Sequence, residues 1–127
     1  MKRQVIKIPD APSSPLYSQA IKVGSTIYVT GVPGIDPKTG KVAGPTIQDQ
    51  TRQALVNCEN ILRAAGARLT DVAEVQVLLA RPDDFAGLNE AYAPFFPKDP
   101  PVRSVARLGP DLGSILVSIK LIAVVPE

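Results

Sequence analysis

The sequence predicts an α+β fold: a two-layer sandwich in which two α-helices cover one face of a mixed β-sheet, as a single domain over residues 1–127. Three observations carry this. One long stretch repeats its apolar residues at helical spacing, and a shorter one follows it. Alternating or β-branched segments surround them in the order β-β-β-α-β-α-β-β. Hydrophobic residues make up 45% of the 127, and a chain of this length can bury roughly two-thirds of its unfolded surface.

The first strand is expected at Gln4–Ile8, where Pro9 stops it. Pro9, Pro12 and Pro15 mark an ordered loop. Tyr17–Val23 and Thr26–Thr30 read as partner strands joined by a Gly24-Ser25 turn, since glycine tolerates the positive φ of such turns. The stretch 31–34 breaks the second of these strands. Asp36-Pro37-Lys38-Thr39-Gly40 reads as a turn, and Lys41–Pro45 as an extended linker. Thr46 is a helix N-cap, with Asp49 three residues on. Ile47, Ala54, Leu55, Cys58, Ile61, Leu62 and Ala65 then recur at 3.6-residue spacing, predicting a helix over 47–65. Gln50, Arg52, Gln53, Glu59 and Arg63 are expected on its outer side, and Gly66 just past its end. Asp71–Ala80 reads as a buried strand. A second helix starts at Pro82-Asp83-Asp84, carries the stripe Phe85, Leu88, Ala91, Tyr92 and Phe95, and stops at Pro94. Strands follow at Val102–Leu108 and Ile115–Val125. One parity of the last strand (Val117, Ile119, Leu121, Ala123, Val125) is wholly apolar and the other carries Ser118 and Lys120. With helices on one sheet face only, that apolar content implies that a second copy of the chain covers the other face.

Composition excludes several chemistries. There is no histidine and one cysteine, Cys58. The usual zinc patterns and the Ser-His and Cys-His nucleophile pairs are therefore absent. Cys58, on the apolar helix face, reads as a small core hydrophobe. No GxGxxG or GxxxxGK[ST] motif occurs. The net charge of +2 and the few scattered aromatics argue against nucleic acid. The N-terminus lacks the continuous apolar run of a signal peptide and no stretch is long enough to span a membrane, so a cytoplasmic protein with no membrane partner is expected.

The chemistry is placed at Pro100-Pro101-Val102-Arg103-Ser104-Val105. Two prolines stiffen the approach. On a strand, Arg103, Val105 and Arg107 then share one face. An arginine at a rigid strand start can clamp a carboxylate through two parallel hydrogen bonds. The alternative is an edge-strand arginine in a surface ion pair.

Tyr17-Ser18-Gln19-Ala20, Gly31, Asp36-Pro37-Lys38-Thr39-Gly40, Gln50-Thr51-Arg52-Gln53, Asn57, Ala64-Ala65-Gly66, Phe85, Asn89-Glu90, Tyr92, Phe95-Phe96 and Arg103-Ser104 occur in order along the chain. Together they resemble the Rid family, also called YjgF, or L-PSP after an older endoribonuclease label. The resemblance covers essentially the whole chain. It implies a chorismate-mutase-like homotrimer with sites in the clefts between subunits. It also implies hydrolysis of reactive enamines and imines, of the 2-iminopropanoate type, to 2-keto acids and ammonia, with no metal or cofactor. By the resemblance, Arg103 grips the substrate carboxylate and Tyr17 lines the cleft. Gly31 offers its backbone at the imine end, Thr30 stands where serine is common, and Asn89 matches an asparagine of the second helix. Val105 keeps only the backbone N–H of the cysteine or threonine found there.

The chain also departs from that pattern. The glutamate that orders the attacking water is Ser118 here, a second glutamate is Lys120, and a third is Arg107. A hydroxyl is a poor base near neutral pH, and losing a general base costs on the order of 10²–10⁴ in rate. Lys120 acts as base only if its pKa is strongly lowered. The added cations Arg107 and Lys120 favour a dianionic substrate, provided that they face the cleft. Two functions stay open: an imine deaminase using Arg103, Tyr17 and Ser118, or a non-catalytic member of the family that binds small carboxylates. The nuclease label ranks below both.

Overall fold

The structure, a computed structural model, describes residues 2–126. Among these residues eight strands and two α-helices follow in order: β1 (Arg3–Ile6), β2 (Ala20–Val23), β3 (Thr26–Pro33), β4 (Ile35–Asp36), β5 (Lys41–Val42), α1 (Ile47–Ala64), β6 (Val72–Leu79), α2 (Phe85–Tyr92), β7 (Val102–Arg107) and β8 (Val117–Val124). Six of the strands form one sheet in the order β1-β2-β3-β8-β6-β7. Only the β6–β7 pairing is parallel, with α2 in the crossover, so the sheet is mixed. The core lies between this sheet and the helices, and is built from Leu55, Cys58, Ile61 and Leu62 of α1 against Ile27, Val29, Val75, Val77, Ile119 and Leu121. The α+β sandwich read from the sequence is the fold observed.

α1 is closed at both ends by the residues that predicted it. The Thr46 hydroxyl accepts from the Asp49 N–H at 3.1 Å. Gly66 takes φ +85. Its N–H donates to the Arg63 carbonyl at 3.0 Å, and the Ala67 N–H reaches back to the Leu62 carbonyl at 2.9 Å. Both bonds satisfy carbonyls that the helix end leaves free. The Lys22 ammonium adds a bond to the Ala65 carbonyl at 2.9 Å, favourable at the negative end of the helix dipole.

Several strands differ from their sequence-based bounds, each for a visible reason. β1 stops at Ile6 because the Ile8 N–H donates instead to the Gln19 side-chain oxygen at 2.7 Å. The same amide donates to the carbonyls of Ile8, Ala11 and Pro12, so the proline loop is pinned by one side chain and β2 begins only at Ala20. β3 runs through Gly31 to Pro33, because a bulge between Val29 and Val32 absorbs the irregular residues. The linker at Lys41 pairs with Ile35–Asp36 as a small hairpin, closed by Gly40 N–H to the Asp36 carbonyl at 2.8 Å. β8 starts at Val117, since the Leu116 N–H is taken by the Gln50 side chain at 2.8 Å. Gln50 itself corrects the sequence reading: it is buried on the inner face of α1, not solvated on the outer one.

Candidate functional site

Cross-strand partners share a sheet face, so the register assigns every side chain a side. One row runs Ile6, Ala20, Val29, Leu121, Val75 and Arg103 across all six strands. Its first five members are buried under the helices. Arg103, on the edge strand, emerges where that core ends. Its Nη1 donates to Asn89 Oδ1 at 2.8 Å. The guanidinium carbon lies 4.9 Å from the Tyr92 ring centroid and 5.9 Å from that of Phe85. Phe85, Asn89 and Tyr92 are spaced i, i+4, i+7 and present one face of α2. The positively charged fork thus rests on aromatic rings whose faces attract it. Among the described residues no carboxylate lies within ion-pair distance of Arg103.

Val105 and Arg107 follow on the same side, opposite the buried Val77 and Leu79. Val105 packs on the core. Arg107 lines a cleft of about 410 Å³ with Leu79, Pro82, Phe85, Val105 and Ala106. Phe85 is therefore shared between the Arg103 shelf and this cleft.

The remaining candidates lie on the opposite, helix-free face. Ser118 and Lys120 sit at the outward positions of β8, opposite Leu78 and Gln76. The β3 bulge brings Gly31 against Ser118: a Cβ on Gly31 would fall 2.8 Å from Ser118 Oγ. Thr30, Gly31 and Lys120 line a shallow groove with Arg3, Ser18, Ile21, Tyr28 and Val29. No carboxylate is among these lining residues. Tyr17 is half-exposed at the end of the proline loop, bridged to Ser14 and next to Ser18 of the groove.

One chain therefore brings together Arg103, Asn89, Val105 and Arg107, and separately Thr30, Gly31, Ser118 and Lys120. The sheet lies between the two sets. The expectation that Lys120 shares a cleft with Arg103 and Arg107 does not hold within a single chain. Cys58 is inert as read: it is fully buried, its Sγ donates to the Ile119 carbonyl at 3.8 Å, and burial pushes the thiol pKa up to about 12. No group of three or more acidic, cysteine or histidine side chains suited to a metal occurs among the described residues. No helix among them is long and apolar enough to cross a membrane.

The family model described as Endoribonuclease L-PSP matches residues 8–125. The chain belongs to the L-PSP, or YjgF/Rid, family. A RutC family protein of Pyrococcus horikoshii is 44% identical over 126 residues, spanning 95% of this chain and 97% of its own. The 2-iminobutanoate/2-iminopropanoate deaminase of Rattus norvegicus is 37% identical over 123 residues, 96% of this chain and 90% of its own. Among solved structures, Escherichia coli TdcF with bound serine superposes with a TM-score of 0.90 at 30% identity, covering 97% of this chain and 99% of that one.

Within this Rid-family chain, the sequence reading passed over two members of the Arg103 surroundings. Phe85 and Tyr92 were assigned to the apolar stripe of the second helix. Their i, i+7 spacing with Asn89 between them was the available signal. It became legible only once the parallel β6–β7 pairing set the strand beside that face of α2.

Proposed function

We propose that the chain hydrolyses small 2-imino carboxylates to 2-keto acids and ammonia, with Arg103 holding the carboxylate. The observation that carries this reading is the free arginine fork. It is propped by Asn89 and two rings at an open edge, with no carboxylate among the described residues within ion-pair distance. The names of the deaminase relatives support the reaction class, and the serine in TdcF is a carboxylate ligand in a chain of the same fold.

In this reading water forms a C–O bond to the imine carbon while the imine nitrogen takes a proton. The amino group of the resulting carbinolamine takes a second proton, the C–N bond breaks with its electron pair leaving on ammonia, and the hydroxyl proton is lost as the C=O bond forms, leaving the keto acid. Gly31 supplies close backbone approach, while Tyr17, Thr30 and Ser118 supply hydroxyls that pass protons and orient water. Because Arg103 and Ser118 face opposite sides of the sheet, the reading requires a neighbouring copy to supply one of the two sets. A homotrimer that buries the helix-free face fits that requirement. The face exposes Val5, Tyr28, Val102 and Val124, and apolar side chains left exposed on an uncovered sheet face suit an interface between copies. The cleft beside Arg103 with Arg107 on its wall suits a substrate carrying a second anionic group at the end of its side chain.

A second reading, a carboxylate-binding protein without catalysis, is favoured by the groove at Gly31 and Lys120, whose lining residues include no carboxylate and beside which Ser118 stands. Both are tested by generating 2-iminopropanoate in situ and measuring its loss and ammonia release. The parent is expected to exceed the uncatalysed rate, and Arg103→Ala to return to it. A parent rate equal to background, with Ser118→Glu raising it by about 10²-fold or more, establishes the binding reading instead.

A further inference from the structure

Tyr92 is only 7% exposed, and its Oη is buried without a hydrogen-bond partner among the described residues. A hydroxyl left in that state is costly, so the oxygen is not what suits tyrosine to the position. The ring is. It packs on Phe96 with centroids 5.0 Å apart, and the Arg103 guanidinium lies over it at 4.9 Å from the ring centroid. Burial raises the phenol pKa, against the lowering effect of the Arg103 charge. The ring therefore meets the arginine as a neutral phenol, and the attraction is that of an aromatic face for a cation.

An arginine on an exposed edge strand otherwise samples many rotamers, and binding must pay for ordering it. Here Asn89 holds one Nη1 proton. The Nε and Nη2 protons have no partner among the described residues, and these are the parallel donors a carboxylate engages.

We propose that Tyr92 is a positioning residue: its ring face, acting with Asn89, fixes the Arg103 guanidinium in one orientation with the Nε and Nη2 donors turned outward to the ligand. The inference rests on the proposed carboxylate site at Arg103, though not on whether that site catalyses. Arg103 touches the substrate; Tyr92 acts through Arg103.

The test compares the parent with Tyr92→Phe and Tyr92→Leu. Three quantities are measured: the dissociation constant for 2-oxobutanoate by calorimetry, KM and kcat for imine hydrolysis, and the melting temperature. Tyr92→Leu is expected to raise Kd and KM by about 5- to 10-fold while kcat moves less than about 3-fold, because the carboxylate is held alike in ground and transition states. Tyr92→Phe keeps the ring and is expected to restore Kd and KM to within about 2-fold, with no drop in melting temperature. Tyr92→Met, which fills similar space without an aromatic face, is expected to match the leucine variant and replaces it if that variant does not fold. The proposal is overturned if the leucine or methionine variant binds like the parent, or if Tyr92→Phe loses as much as they do. It is equally overturned if the parent does not bind 2-oxobutanoate. If the parent binds 2-oxobutanoate but releases no ammonia, the deaminase reading falls and the positioning role is decided by the dissociation constants alone.

Discussion

The thiol of Cys58 reports on the core from inside it. Its pKa, 9.0 in an ordinary setting, is raised to about 12 by burial. The unfolded chain therefore releases a proton near pH 9 that the folded chain keeps. The folded state binds more protons in that range, so stability falls as pH rises from about 9 towards 12 and is at its full value below 9. Denaturant midpoints of the parent are expected to drop across this window, and those of Cys58→Ala to drop less. A parent midpoint flat from pH 9 to 11 contradicts this. At the same scale Arg103 shows how far a sequence can be read. Strand alternation correctly grouped it with Val105 and Arg107, because side-chain parity depends only on the strand being a strand. What the arginine touches depends on which element lies over that parity, and no local residue pattern records that.

Among the elements, α1 has the most legible sequence, since capping and periodicity both act within a few residues. Its one misread position is instructive. Gln50 lies three residues after Ile47 and four before Ala54, so the helical period itself points it inward; only its polarity argued otherwise. Inside, the Gln50 amide donates to the carbonyls of Gly44 at 3.0 Å and Ser114 at 2.9 Å, and its oxygen accepts from Leu116 N–H. One side chain thus ties α1 to the segments on either side of it in the fold. Gln50→Leu leaves three backbone groups unpaired. It is expected to cost about 2–4 kcal/mol, read as a lowered urea midpoint with an unchanged slope. A loss below about 0.5 kcal/mol would show that water replaces these bonds without penalty. Gln19 fastens the proline loop in the same way. In both cases long-range side-chain bonds trimmed strands that propensity alone had drawn longer.

At the scale of the molecule, the governing fact is the side of the sheet on which each group stands. The helix face carries the core and, at its rim, Arg103 on its aromatic shelf. The bare face carries Gly31, Ser118 and Lys120 among exposed apolar side chains: Val5, Tyr28, Val102 and Val124 are 57%, 47%, 69% and 48% exposed. The order of elements foretold the layers; the apolar parity of the last strand, Val117, Ile119, Leu121 and Ala123, is buried in the chain's own core beneath the helices, so a covering of the other face remains an expectation that rests on the side chains exposed there. Which side of the sheet each set occupies is not legible in the residue order, because the side depends on where the helices pack. Two sets that a single chain cannot join behave, in a mixture of chains, as separable factors. Arg103→Ala disables one set, and Gly31→Val, which forces a side chain onto Ser118, disables the other. Each variant alone is expected to be inactive. Co-expressed in equal amounts within a closed ring of copies, they pair an intact arginine from one chain with an intact groove from its neighbour at about a quarter of the sites. Activity regained by co-expression, and absent when the separately purified variants are mixed without exchanging subunits, is the expected result. No recovery in ring assemblies shown to contain both chains would mean that each site is built from one chain after all. If the expected result holds, two defective copies of this gene in one cell complement each other: the unit on which its function is judged is the pair of neighbouring chains, and the single polypeptide is half an allele's worth of site.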